Sequence, residues 1–160
     1  MDSTVEFVWS LNHGLPIHPA DWAIQLLESE QESDAILRLT DRNLDWETQN
    51  QLVMHVLDDL GRSELLDPRN LRLAYELESI ADYFAGKLDG WTLIRRGCDL
   101  YYEDEGDDQG RIFWIRLADD ADEHGGQGVC IQFPFANNDF DQVLRDAIRN
   151  SGRPLPNIGT

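Results

Sequence analysis

The sequence predicts an α+β fold in which about four helices, over residues 19–88, pack with a small, mainly antiparallel sheet over residues 91–135 and a C-terminal helix over 138–150. Up to residue 88, apolar residues recur every three or four positions, which is typical of helices with one buried face. Beyond it, short runs rich in β-branched and aromatic residues alternate with segments rich in Gly and Asp, which favours strands.

The four N-terminal helices are predicted from their start positions and their apolar stripes. Pro19 suits a first helical turn, Ser33 and Asp45 are good N-caps, and Pro68 opens the longest helix. Gly61 is a good stop for the third helix. The stripes that identify these helices are Trp22, Ala23, Leu26 and Leu27; Ile36, Leu37 and Leu39; Trp46, Val53, Val56, Leu57 and Leu60; and Leu73, Ala74, Leu77, Ile80, Ala81, Phe84 and Leu88.

The predicted sheet is built from short apolar runs. Residues 98–103 and 111–117 are separated by a turn-rich segment, 104–110, which is typical of a β-hairpin. Residues 128–135 place apolar side chains at alternate positions, and Pro134 indicates that this strand ends or lies at an edge. A fourth strand is expected near residues 91–95. The C-terminal helix is indicated by Asn138 as N-cap and by an apolar stripe.

An all-α fold is the alternative. Trp91, Ile94, Cys98 and Tyr101 also fit a helical stripe, and periodicity alone does not assign short apolar runs. Gly97 and the Gly-containing segments that bracket the runs favour the sheet. At 160 residues, one globular domain over 1–152 is expected, followed by a loose tail over 153–160.

The formal net charge of −18, from 31 acidic and 13 basic residues, excludes several classes of function. A strongly acidic protein is repelled by nucleic-acid phosphates and by anionic membranes, so neither is an expected partner. The sequence has no apolar run of membrane-spanning length, and its acidic start does not resemble a secretory signal. The two cysteines, Cys98 and Cys130, are expected to be thiols in a reducing compartment, which predicts a cytoplasmic protein.

No motif predicts a cofactor or a metal. The sequence contains no H-E-x-x-H, paired C-x-x-C, P-loop or G-x-G-x-x-G pattern. The segment from Glu105 resembles the start of an EF-hand loop, but Arg116 occupies the position where the loop needs its bidentate Glu. We therefore expect neither a cofactor nor a metal site. Whether the protein is an enzyme stays open, and the absence of such motifs favours a protein without catalytic activity.

The acidic charge is concentrated in residues 99–123, here called the acidic strip, where ten acidic residues face only Arg111 and Arg116. A concentrated negative surface accelerates binding to a cationic site on another protein. The sequence therefore predicts a protein-binding module with a basic protein partner, such as an immunity protein or antitoxin that covers the cationic site of a toxin or nuclease. The predicted contact residues are Glu103, Asp104, Glu105, Asp107, Asp108, Asp119, Asp120, Asp122, Glu123 and Trp114.

Two points stay open beside this hypothesis. A small enzyme or ligand-binding domain whose site is assembled from residues distant in sequence is the alternative. Among the tryptophans, Trp22 and Trp46 lie in helix stripes and are expected in the core, whereas Trp9 and Trp114 are the expected interface anchors. The oligomeric state is not predicted.

Overall fold

In the computed structural model the chain is helical, and the predicted sheet is wrong. The structure describes residues 2–14, 17–101, 108–125 and 140–153; for residues 108, 109 and 120–125 it describes the backbone only. Within these ranges there are α-helices and one 3-10 turn, Ser63–Leu66, but no strand. The helices are α1 Ser3–Asn12, α2 Pro19–Glu28, α3 Asp34–Leu39, α4 Trp46–Asp59, α5 Pro68–Phe84, α6 Gly90–Tyr101, α7 Asp108–Gly125 and α8 Phe140–Asn150.

Helix α6 occupies the segment in which strands were expected near 91–95 and from residue 98. Its buried positions include Leu93, Ile94, Gly97 and Leu100, which recur at helical spacing. Asp89 precedes the helix and accepts hydrogen bonds from the Thr92 amide at 2.9 Å and the Thr92 hydroxyl at 2.6 Å. This N-cap and the helical period outweigh the local strand preference of the segment.

Helix α7 replaces the second half of the predicted hairpin. Gly110, Trp114 and Leu117 form its buried face, whereas Ile112 and Ile115 are exposed at 43% each. The β-branched residues that indicated a strand therefore lie on the outer face of a helix. The strand expected over 128–135 lies outside the described residues.

The N-terminal helices and the C-terminal helix are confirmed. Helix α2 begins at Pro19, α3 is capped by Ser33 and α4 by Asp45, as predicted. Gly61 follows the C-cap of α4 with a φ of +64°, a left-handed conformation that glycine adopts without strain. Helix α8 ends at Asn150, while its predicted cap Asn138 lies outside the described residues.

The chain divides into two compact units, residues 1–75 and 76–160. In unit 1, Phe7 of α1 stacks on Trp22 of α2 with ring centroids 4.1 Å apart, and both rings are almost fully buried. Apolar residues of α3, α4 and the start of α5 complete this core. The cap residues Asp2, Ser33 and Asp45 each accept a backbone hydrogen bond in the first turn of their helix.

Unit 2 packs α6 against α7 and α8. The α-carbon of Gly97 lies so close to Trp114 that a Cβ there would meet the indole at 2.1 Å. Gly97 and Trp114 are therefore a matched pair in which the missing side chain makes room for the ring. Leu144 and Ile148 of α8 are buried, so the amphipathic stripe predicted for this helix faces the interior.

Acidification is expected to destabilise the protein through its capping aspartates. Burial opposes ionisation of Asp2, but hydrogen bonds from Arg62 and Thr4 outweigh it and hold the pKa below the usual 3.8. Hydrogen bonds from Thr48 and Thr92 likewise lower the pKa of Asp45 and of Asp89. Because the unfolded chain then binds protons first, this stability is complete above pH 3.8 and is lost as the pH falls through the folded pKa values.

Urea unfolding between about pH 7 and pH 2.5 measures this loss. The double variant Asp45→Asn/Asp89→Asn keeps an oxygen that accepts the backbone N–H but no longer titrates. We expect its stability to fall less steeply with acid than that of the wild type. Identical slopes would contradict the assignment. Protonation also reduces the repulsion among the acidic residues of a protein of charge −18. Because this effect is nearly the same in the wild type and the variant, it cancels when their stabilities are compared.

Candidate functional site

The most highly connected polar cluster among the described residues is centred on Glu76, which lies in α5 and is 2% exposed. Trp114 of α7 donates its indole N–H to Oε1 at 2.7 Å, and Tyr101 of α6 donates its hydroxyl to Oε2 at 2.7 Å. Arg153, which follows α8, donates from Nε to Oε1 and from Nη2 to Oε2, each at 2.6 Å. One buried carboxylate thus joins three helices and the segment after the fourth.

The arginine in this cluster is held from two sides. Its Nη2 also donates to the Tyr101 hydroxyl, and its guanidinium carbon lies 5.3 Å from the centroid of the Tyr101 ring. A Cβ at Gly110 would come within 2.8 Å of Nη1, so glycine at this position leaves room for the guanidinium. Residue 153, the predicted start of a loose tail, is therefore anchored in unit 2.

The geometry of the Glu76 cluster is that of a structural tie. An ionised carboxylate offers about four acceptor sites, and the four donor atoms contributed by the described residues fill them. No acceptor capacity is left for a substrate or a metal, and the group is shielded from solvent. Despite its buried charge, the cluster therefore lacks the vacant position that acid–base or metal chemistry requires.

Tyr83 of α5 forms a second buried polar contact in unit 2. Its hydroxyl donates to the backbone carbonyl of Asp141 at 3.0 Å and to Oδ1 at 3.1 Å. Burial, together with the charge of Asp141, raises the pKa of this phenol well above its usual range. The Tyr83 phenol therefore stays protonated near neutral pH and serves as a hydrogen-bond donor that holds α8 on α5.

The described residues include a groove and a pocket. The shallow groove, of about 360 Å³, lies between α7 and α8 and is lined by apolar residues such as Phe113 and Val143 and by the polar residues Asp146, Asn150 and Ser151. A polar pocket of about 120 Å³ lies at the start of α1, where Asp2 accepts from Arg62 at 2.5 Å. In the pocket the carboxylate of the chain itself already occupies the place that an anion would take at a helix N-terminus.

The predicted contact residues of the acidic strip are only partly placed by the structure. Asp119 is exposed on α7. Residues 103–105 and 107 lie outside the described residues, and Asp108, Asp120, Asp122 and Glu123 lie within α7, where the backbone alone is described. The acidic strip therefore includes most of α7, in a segment where a strand was expected over residues 111–117. Whether these acids bind a partner stays a prediction.

Trp114 does not belong to a binding surface. It is 0% exposed and donates to Glu76, so it has no area with which to anchor a partner. Trp9, the other expected anchor, is half-buried and stacks on Tyr75 with ring centroids 4.5 Å apart. Trp46, expected in the core, is instead 70% exposed, whereas Trp22 is fully buried as predicted.

The surface of unit 1 was missed by the sequence reasoning, which concentrated on the acidic strip. Residues 1–75 contain 14 acidic and five basic residues, and residues 76–160 contain 17 and eight, so each unit carries −9. The segment from the end of α2 to the start of α3 is the densest part of this surface in unit 1. Four acids are exposed there within seven residues, with no basic residue between them: Glu28, Glu30, Glu32 and Asp34.

The described part of the chain offers no cluster of His, Cys, Asp and Glu side chains arranged to hold a metal ion. The segment that resembles an EF-hand loop lies largely outside it. The Cys98 thiol donates to the backbone carbonyl of Trp114 at 3.4 Å, and Cys130 is not described. Among the helices described, none is both long and apolar enough to cross a membrane.

These features define an acidic protein built, in its described residues, from two α-helical units, with a structural polar cluster around Glu76. No protein-family model, curated protein or solved structure matches the chain.

Proposed function

We propose that the protein is a cytoplasmic, acidic protein-binding module that covers the cationic site of a basic partner protein. An immunity protein or an antitoxin acting on a basic toxin or nuclease is the type of protein that this chemistry fits. The observation that carries the proposal is the formal charge of −9 in each unit, together with four exposed acids between the end of α2 and the start of α3. Such a surface increases the association rate with a cationic partner and opposes binding to nucleic acid.

The buried chemistry gives indirect support. The two buried polar clusters described above, around Glu76 and Tyr83, have their donors and acceptors occupied by the protein itself. The Glu76 carboxylate and the Tyr83 hydroxyl are therefore not available as the acid or base that an enzyme needs. A protein that acts through its outer surface needs no such site.

The proposal is tested by immobilising the full chain and capturing binding proteins from the native cell lysate. At about 50 mM salt we expect a basic protein to be retained, and at about 300 mM to be released, because the Debye length shortens from roughly 14 to 6 Å. A test variant has Glu28, Glu30 and Glu32 changed to Gln, which removes three negative charges from exposed positions. We expect weaker capture with an unchanged unfolding midpoint. Retention of no basic protein, or of one indifferent to salt, would contradict the proposal.

A further inference from the structure

Helix α4 carries a row of side chains that the core of unit 1 does not use, with exposed apolar residues at its two ends and the polar, half-buried Asn50 between them. Its buried face is formed by Leu52, Val53, Val56 and Leu57. Trp46 lies in phase with Val53 but at the start of the helix, where it extends beyond the core and is 70% exposed. Asn50 and Met54 follow it at four-residue intervals, and Met54 is 54% exposed.

The spacing of these residues produces a ridge. Residues at i, i+4 and i+8 form a continuous row inclined to the helix axis, and such rows pack into the grooves of a second helix. The row formed by Trp46, Asn50 and Met54, here called the α4 ridge, spans about 12 Å at 1.5 Å per residue. Trp is enriched among residues that dominate binding energies, and Met is enriched at protein interfaces.

Acidic residues of α4 flank the α4 ridge at both ends. Asp45 and Glu47 are exposed at its start, and Asp58 and Asp59 are exposed at the end of the same helix. No Lys or Arg occurs between Arg42 and Arg62 in the sequence. Hydrogen bonds from Thr48 to Asp45 fix one of these carboxylates beside the ridge. A helix that packs on the ridge therefore meets apolar contacts from Trp46 and Met54 and negative charge beyond both of them.

We infer that the α4 ridge is a docking surface for an amphipathic helix of the partner protein, with apolar residues along its centre and Lys or Arg at its flanks. The inference rests on the proposed function, because a basic partner is what that function requires, and it specifies where and how this partner binds. A ridge of about two turns is a small interface, so the contact is of the transient class.

Two synthetic 18-residue peptides test the inference with the full chain. The first carries Leu in a helical stripe flanked by Lys, and the second has the same composition with the order scrambled, so that charge is kept and the stripe is lost. Fluorescence anisotropy at about 50 mM salt measures their binding. We expect the striped peptide to bind at least about tenfold tighter than the scrambled one, since only it presents an apolar face to the ridge.

Variants assign the binding to the α4 ridge. Trp46→Ala and Met54→Ala are each expected to weaken binding of the striped peptide by about tenfold, as at interface hot spots. Ile115→Ala, which shortens another exposed side chain in unit 2, should leave binding unchanged. Because Trp46 and Met54 are exposed, all three variants should keep the helical circular-dichroism spectrum of the wild type.

The outcomes separate the two proposals. Equal binding of both peptides, indifference to Trp46→Ala, or no binding of either peptide would overturn the α4 ridge as a docking surface. The proposed function is decided independently by the capture experiment. Salt-sensitive capture of a basic protein that is unaffected by Trp46→Ala would keep the function and remove the ridge, whereas loss of that capture in Trp46→Ala would support both.

Discussion

Replacing Arg153 by Met is expected to destabilise the protein by about 3–5 kcal/mol, the cost of leaving a buried carboxylate without its cation. Glu76 is 2% exposed and, among the described residues, would keep only the Tyr101 hydroxyl and the Trp114 indole as donors. Two donors do not replace the charge that has been removed. Urea unfolding followed by tryptophan fluorescence measures the effect.

Two further variants decide whether the cost comes from the unpaired charge. The double variant Glu76→Leu/Arg153→Met removes both charges, and we expect it to be more stable than Arg153→Met alone. Lys87→Met is the control, because Lys87 pairs with Asp82 at 3.9 Å and is 70% exposed. Asp82 is 15% exposed, but the Lys87 ammonium is open to solvent and its distance is long for an ion pair, so we expect its removal to cost no more than about 1 kcal/mol. A loss from Arg153→Met as small as that from Lys87→Met would show that the Glu76 cluster does not hold unit 2 together.

The helices before residue 88 were predictable because local rules agree there. At Pro19, Ser33, Asp45 and Gly61, the preferred capping or first-turn residue stands next to a stripe of helical period, and each such boundary lies where it was expected. When propensity, capping and periodicity indicate the same structure, tertiary contacts have little left to override.

Between residues 90 and 117 the same rules disagreed, and the preference for strands was misleading. Ile112 and Ile115 have a high strand propensity, yet they lie on the exposed face of α7. Apolar residues on both faces of a helix obscure the helical spacing of its buried residues. The contact that organises this region joins Gly97 to Trp114, 17 positions further along the chain. Strand propensity depends on such packing partners, so local sequence could not resolve the choice.

The buried cluster and the exposed tryptophan were missed for the same physical reason. Glu76 is one of three acids in α5, and its partners Tyr101, Trp114 and Arg153 are 25, 38 and 77 positions away. Trp46 has the phase of a core residue but lies beyond the end of the core. Burial is a property of the assembled helices, and periodicity gives the direction of a side chain without showing whether anything covers it.

Gly97→Ala is expected to destabilise the protein by about 1–3 kcal/mol, although alanine is the better helix former. In an exposed helix the change would stabilise by about 1 kcal/mol. Here the added Cβ would lie 2.1 Å from Cδ2 and 2.4 Å from Cε3 of a fully buried indole. That ring cannot retreat without stretching its 2.7 Å hydrogen bond to Glu76, so overpacking outweighs the gain in propensity.

A double-mutant cycle with Trp114→Leu tests this explanation. Trp114→Leu alone is expected to be destabilising, since it removes a buried ring and a donor to Glu76. In its background the clash is absent, and Gly97→Ala should become neutral or stabilising because only helix propensity remains. The coupling between the two sites is then the free energy of the clash. Additive effects would contradict the close contact and would mean that α6 and α7 do not meet at Gly97.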